Sequence, residues 1–276
     1  MTRTVAVIGA TAGLGREAAH RLAAAGHRVI AVGRDPQKAA GLRRDLPGIT
    51  VITGDVSTAD GVARVAGHVR NHTDHLDTLV NNAGVMPNRR QVTADGAELN
   101  FAVHHLAPFS LTGSLLPLLQ AGDGRVVNVN SAGHAAPMRG TGPVELQFDD
   151  LQHERDYDPF MAYSRSKLAN LLFTYELARR HPELTVVALH PGVVRTSLGR
   201  DFPRPLVIAV HAFALSAARG AEPVVELATA AQVRNGSYYD RFAPVSSSRA
   251  SYDRDAARRL WAATEDMRGP FARHHP

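Results

Sequence analysis

A tyrosine and a lysine one helical turn apart, Tyr163 and Lys167, are the pair in this sequence best suited to moving a proton. Residues four apart on a helix share a face, so the two side chains project together. A free phenol titrates near about pH 10, too high for ready proton exchange in neutral solution. A neighbouring ammonium stabilises the phenolate and brings that value down, as acid–base work near neutrality requires. The lysine stands out for its rarity as well. Of the 31 lysines and arginines together, only Lys38 and Lys167 are lysines. An arginine fork would supply charge but fits less well beneath a tyrosine ring. In isolation the pair reads better as two exposed neighbours on a helix; joined to a glycine turn far upstream, it reads as chemistry.

That turn follows the apolar run Thr4–Ile8, where the chain passes through Gly9-Ala10-Thr11-Ala12-Gly13-Leu14-Gly15 into a helical pattern. Glycines there allow a tight bend and let backbone N–H groups approach a pyrophosphate at the helix N-terminus. Elsewhere they would be an ordinary turn. At the first strand–helix junction they make Gly9, Thr11, Ala12, Gly13, Leu14 and Gly15 candidate dinucleotide contacts. After the second strand comes Ala31-Val32-Gly33-Arg34-Asp35. A carboxylate at the strand end would bind the ribose 2′-OH of NAD, and Gly33 stands there instead. Arg34 either faces solvent or forks onto a 2′-phosphate, so NADP(H) is favoured over NAD(H); Asp35 suits a cap for the helix opening at Pro36. Asp55, with Val56 beside it, is placed to accept from an adenine amino group. Asn81-Asn82-Ala83-Gly84 puts small residues beneath a ligand at a strand's carboxyl end.

These segments need a scaffold that gathers strand ends. The chain alternates short β-branched runs with longer helical patterns, the signature of βαβ units and a parallel sheet. Expected strands are Thr4–Ile8, Arg28–Val32, Thr50–Ile52, Thr78–Val80, Arg125–Val129, Thr185–Leu189 and Ser237–Tyr239. Expected helices are Leu14–Ala25, Pro36–Leu46, Ala59–His72, one around Glu98–Leu119, and Tyr163–His181. The expectation is an α/β fold: a single Rossmann-type doubly wound domain over 1–276, with about seven parallel strands and helices on both faces. No linker or internal repeat divides it. Residues 195–222 break the alternation and carry prolines, as a substrate lid over a cleft would.

Composition narrows the classes. The 276 residues are 44% hydrophobic and 21% charged, enough to bury a full core, and none is cysteine. Disulfides and thiolate chemistry are therefore excluded, and a cytoplasmic location is expected. The first residues lack the apolar core of a signal peptide, and the most apolar stretch, Leu206–Leu215, is too short to span a bilayer, so no membrane partner is expected. The net charge of +5 comes from scattered arginine pairs such as Arg43-Arg44 and Arg179-Arg180, without the interleaved aromatics of a nucleic-acid groove. No nucleic-acid partner is expected. Adjacent helical histidines such as His104 and His105 diverge and find no third ligand, so no metal site is expected.

Taken in order, Gly9-Ala10-Thr11-Ala12-Gly13-Leu14-Gly15, Asn81-Asn82-Ala83-Gly84, Ser131, Tyr163-x-x-x-Lys167 and Pro191-Gly192 resemble the short-chain dehydrogenase/reductase superfamily along nearly the whole chain. Phe148-Asp149-Asp150-Leu151, Ala162–Asn170 and Arg259-Leu260-Trp261 look like its retinol-dehydrogenase-like branch. The resemblance implies that Ser131 hydrogen-bonds a substrate oxygen and Tyr163 gives or takes its proton. It implies that Lys167 tunes Tyr163 and binds the nicotinamide ribose. Pro191, Gly192, Val194 and Thr196 would hold the carboxamide. The implied activity is hydride transfer between NADP(H) and a carbonyl or secondary alcohol of a mostly apolar small molecule; a homo-oligomer is left open.

Two positions depart from the family pattern. Ile8 replaces a threonine before the first glycine, which alters local turn hydrogen bonding. His104 stands where the pattern has its catalytic asparagine. It could hold the asparagine's water, relay the proton itself, or break the relay. That substitution keeps an alternative in view: an NADP(H)-binding protein of the same fold with a non-redox or regulatory role, or one that reduces C=N or C=C bonds.

Overall fold

The computed structural model describes residues 1–137 and 142–272. From the N-terminus, β1 (Thr4–Ile8), α1 (Gly13–Ala24), β2 (Arg28–Gly33), α2 (Pro36–Asp45), β3 (Thr50–Thr53), α3 (Ala59–His72) and β4 (Thr78–Asn81) alternate without interruption. A short helix α4 (Leu99–Phe101) then runs through one wide π-helical turn, Ala102–Leu106, into α5 (Ala107–Ala121). Next come β5 (Arg125–Val129), α6 (Pro159–Arg180), β6 (Thr185–His190), α7 (Arg204–Phe213) and α8 (Ala217–Thr229). The strands β7 (Ser237–Asp240) and β8 (Ala243–Val245) and the helix α9 (Arg254–Arg268) complete the order.

One sheet holds the strands in the order β3-β2-β1-β4-β5-β6-β7-β8, parallel throughout except for the β7–β8 hairpin. Strand side chains alternate between faces, and β1 shows that both faces are covered. Val5 and Val7 pack with Ala18, Leu22, Val224 and Leu227 of α1 and α8. Ala6 and Ile8 pack on the opposite side with Val65, Leu111 and Leu115 of α3 and α5. The alternation is why the strands read as continuous apolar runs.

Each expected strand is present, extended by a single residue or none. An eighth strand, β8, joins the expected seven: it is three residues long, exposed, and carries Pro244 at a sheet edge where no N–H is needed. Helix α6 begins at Pro159, a turn before the expected Tyr163, because the Asp158 side chain caps it by accepting from the Met161 N–H. The helices α7, α8 and α9 go beyond the expected set. Of the stretch 195–222, residues 217–222 lie in α8, where Gly220 and Ala221 are buried and Ala221 packs in the core beside α1. Trp261 of α9 packs on Phe109 with ring centroids 4.9 Å apart, and Phe271 joins at 5.0 Å.

The π turn has a local cause. Proline lacks an N–H, so Pro108 cannot bond the carbonyl four residues back, that of His104. That carbonyl accepts instead from Asn170 Nδ2 of α6 at 2.8 Å, while the Ala107 N–H reaches Ala102, five residues back.

Candidate active site

Because β1 to β7 are parallel, the loops after them gather at one edge, and the order reverses between β1 and β4. Ligands in such sheets sit outside the carboxyl ends at that reversal. A cleft of about 750 Å³ opens there. Its lining contains Gly9, Thr11, Ala12, Gly13, Leu14, Gly15, Arg34, Asp55, Val56, Asn82, Ala83, Gly84, His104, Ser131, Tyr163, Lys167, Pro191, Gly192, Val194 and Thr196, so every site residue read from the sequence reaches it.

The glycine turn is built for close approach. Gly9 has φ +82°, and a Cβ there would lie 2.8 Å from Ala83 Cα; a Cβ on Gly15 would lie 2.2 Å from the Gly9 carbonyl oxygen. Asn82 locks the turn from below, donating from Nδ2 to the Gly9 carbonyl at 3.0 Å while its N–H donates to the Ile8 carbonyl. Ile8, where the family pattern has a threonine, points its side chain into the core. Ala12 precedes α1 without a side-chain cap and no acidic residue sits in the first turn, leaving backbone N–H groups for an anion. These features fit a dinucleotide pyrophosphate.

At the end of β2, a Cβ on Gly33 would lie 2.2 Å from Thr11 Oγ1, so a carboxylate cannot occupy that position without moving the turn. Arg34 is exposed on the cleft and has no hydrogen-bond or ion-pair partner among the described residues. Asp35 caps α2 by accepting from the Gln37 and Lys38 N–H groups at 2.9 and 3.1 Å. Lys38, whose Nζ stands 3.8 Å from Asp35, lines the cleft too and is absent from the residues that the sequence marked for the site. Its rarity was the available signal: both lysines of the chain face this cleft. Asp55 accepts from the Ser57 N–H, keeping a second carboxylate oxygen at the exposed rim.

At the inner end, α6 lays Tyr163 and Lys167 against the loop after β5. Tyr163 is 4% and Lys167 5% exposed. Burial pushes the phenol above its ordinary value, and a hydrogen bond from Ser131 pulls it back. Lys167 Nζ lies 5.7 Å from the Tyr163 ring centroid and donates to the Val129 carbonyl at 3.0 Å. Burial lowers its own pKa to about 7. The expected ammonium-to-phenol tuning is thus opposed in this structure by desolvation of both groups.

Buried polar residues frame the pair. Asn130 donates to the Lys167 carbonyl and to Asn170 Oδ1 at 3.0 and 2.7 Å, while its own oxygen accepts from the Ser131 N–H. Behind Lys167, a cavity of about 10 Å³, the size of one water, is lined in part by His104, Asn81 and Asn170, and Asn81 Oδ1 is buried without a hydrogen-bond partner. His104 Nδ1 lies 2.8 Å from Ser166 Oγ, and its Nε2 accepts from the Val85 N–H at 3.1 Å. Ser166 and Asn170, inside α6, carry no periodic signal, so only the fold reveals their partners.

The short chain dehydrogenase family model matches residues 3–142. Human retinol dehydrogenase 14 is 36% identical over 297 residues, an alignment that spans 97% of this chain and 86% of that protein. The chain belongs to the short-chain dehydrogenase family. Within it, the sequence stands with the retinol-dehydrogenase-like members. DnrU of Streptomyces sp. (strain C5), named as a candidate daunorubicin C-13 ketoreductase, is 34% identical across 98% of this chain and 94% of its own. A crystal structure of an uncharacterized Mycobacterium paratuberculosis protein superposes with a TM-score of 0.79 at 34% identity, covering 96% of this chain and 93% of that one. The family fold binds a nicotinamide cofactor, and the glycine turn, Asn82 and Lys167 described above fit that group. Among the described residues no helix is long and apolar enough to cross a membrane, and no cluster of three ligand-type side chains could hold a metal.

Proposed function

We propose that this chain is an NADP(H)-dependent oxidoreductase acting on a carbonyl or secondary alcohol of a mostly apolar small molecule. The observation that carries the reading is the meeting of Ser131, Tyr163 and Lys167 at the inner end of a cleft whose outer end is the glycine turn. A bound nicotinamide supplies or accepts the hydride. The protein's part is to orient, to exclude water and to move a proton. The hydroxyls of Ser131 and Tyr163 converge on a place for one substrate oxygen, where they stabilise developing negative charge. Tyr163 exchanges the proton with that oxygen at its Oη. Lys167 holds ribose hydroxyls beneath the phenol, and an anionic ligand in the cleft favours its charged form. Gly9, Thr11, Ala12, Gly13, Leu14 and Gly15 cradle the pyrophosphate, Asp55 and Val56 the adenine, and Asn82, Ala83 and Gly84 the ribose. Pro191, Gly192, Val194 and Thr196 take the carboxamide.

Gly33 without room for a carboxylate, Arg34 without a partner among the described residues and Lys38 beside it all support NADP(H). Met86, Pro87, Phe160, Leu198, Phe202 and Val207 give the remaining wall a mostly apolar face, with Gln91, Arg200 and Asp201 as its polar members. Part of that wall comes from an excursion closed at its base, where the Arg195 N–H donates to the Leu215 carbonyl and the Leu215 N–H to the Val193 carbonyl. We assign it as the substrate lid, within residues 195–222 of a single domain. The ketoreductase and retinol dehydrogenase names of the relatives agree with oxygen chemistry, and paired hydroxyls suit C=O better than C=N or C=C. A non-redox or regulatory role rests on His104 alone, and His104 leaves Ser131, Tyr163 and Lys167 together.

Titration with NADPH and NADH tests the cofactor assignment. NADPH is expected to bind more tightly, and Arg34→Ala is expected to weaken it by about tenfold to a hundredfold, the value of a charge-assisted hydrogen bond, while leaving NADH unchanged. Equal loss for both nucleotides would overturn the assignment.

A further inference from the structure

We propose that His104 is a proton-silent positioning residue: an imidazole held in the Nδ1–H form, fixing Tyr163 through Ser166 on one side and the nucleotide loop through Val85 on the other. The inference rests on the redox reading above for its kinetic consequences, not for its geometry. Ser166 Oγ donates to the Tyr163 carbonyl at 2.6 Å, and a carbonyl only accepts. The hydroxyl proton is therefore engaged, and Ser166 Oγ meets His104 Nδ1, 2.8 Å away, as an acceptor. Nδ1 must carry the hydrogen. On the far side the Val85 N–H, a donor only, points at Nε2 from 3.1 Å and requires a lone pair there. Both neighbours demand the same tautomer. A second proton would set Nε2–H against Val85 N–H, two donors face to face in a site where His104 is 1% exposed.

The surroundings reinforce this. The titratable groups facing the ring are Tyr163, edge-on with centroids 5.4 Å apart, and Lys167, whose ammonium opposes charge on the imidazole. Residues 82–86 present no titratable side chain, and His105 turns away to Thr264 Oγ1 at 2.7 Å. With both nitrogens engaged, the ring has no lone pair for a water and no proton to pass on. What it does is set the distance between Val85, next to the nucleotide-lining Gly84, and the backbone of Tyr163. Of the three roles open to a histidine at this position, relay and water ligand fall away.

The test uses the full chain labelled with 15N-histidine, with His104→Asn assigning the signal. His104 is expected to show the neutral Nδ1–H nitrogen pattern, unchanged between pH 5.5 and 8.5; an Nε2–H pattern, or titration in that range, overturns the proposal. This readout needs no turnover, so it stands or falls separately from the redox reading. Kinetically, Ser166→Ala is expected to lower kcat about tenfold, the value of one hydrogen bond, with NADPH Kd within about twofold and the pH profile unmoved in shape. A limb near pH 6.5 in the wild-type profile that vanishes in His104→Asn would contradict it.

Discussion

Lys167 is a basic side chain that the fold leaves only 5% exposed at the inner end of the cleft, and this gives the residue a cost as well as a role. Its pKa falls from 10.5 to about 7 through burial. Between those values the unfolded chain keeps the proton that the folded chain has lost, so the unfolded state binds more protons and stability rises with pH across the window. Lys167→Met removes that dependence. The ligand-free variant is expected to be more stable than wild type at neutral pH by on the order of a few kcal/mol. The two should converge as the pH approaches 10.5, measured by urea unfolding at several pH values. Parallel pH curves for the two proteins would show that burial does not oppose the Lys167 charge. A residue kept at such a disadvantage is one whose penalty a ligand must offset, and the cleft is where the ligand's charge would come.

At the scale of elements, what could be read from the sequence follows from periodicity and what could not follows from context. Strands such as Thr4–Ile8 and Thr185–Leu189 are legible because both faces of the sheet are covered, so beyond its first threonine each is an uninterrupted apolar run. The four-residue spacing of Tyr163 and Lys167 is enough by itself to place them on one helical face. β8 is invisible in the sequence because three exposed residues around a proline carry no pattern. The π turn at Ala102–Leu106 lies in a stretch that reads as plain helix, since its cause combines Pro108 with a distant partner, Asn170. The same is true of Ser166 and Asn130, whose importance lies in bonds to residues 62 and 40 positions away, His104 and Asn170. Lys38 stands out in the sequence by rarity but not by place; α2 brings it to the cleft because Asp35 caps that helix.

For the molecule as a whole, the preference for a neutral interior shows in its histidines. Burial lowers the pKa of His104, His134, His153 and His190, and takes His105 to about 3. Below about pH 6.5 the unfolded chain takes up protons that the folded chain refuses. The unfolded state then binds more protons, and stability falls as pH falls. The urea midpoint is expected to be clearly lower at pH 5 than at pH 7.5 with an unchanged slope, while an equal midpoint would mean that these rings are protonated in the folded state.

On the proposed function, Tyr163 moves the proton for a nucleotide-dependent redox step. The measurement closest to it follows NADPH oxidation at 340 nm with apolar ketones and aldehydes, wild type beside Tyr163→Phe. Turnover is expected of wild type, with a loss of about 10²- to 10⁴-fold in kcat for the variant, the range for a general acid, and with NADPH still bound. Turnover undiminished in Tyr163→Phe would contradict it.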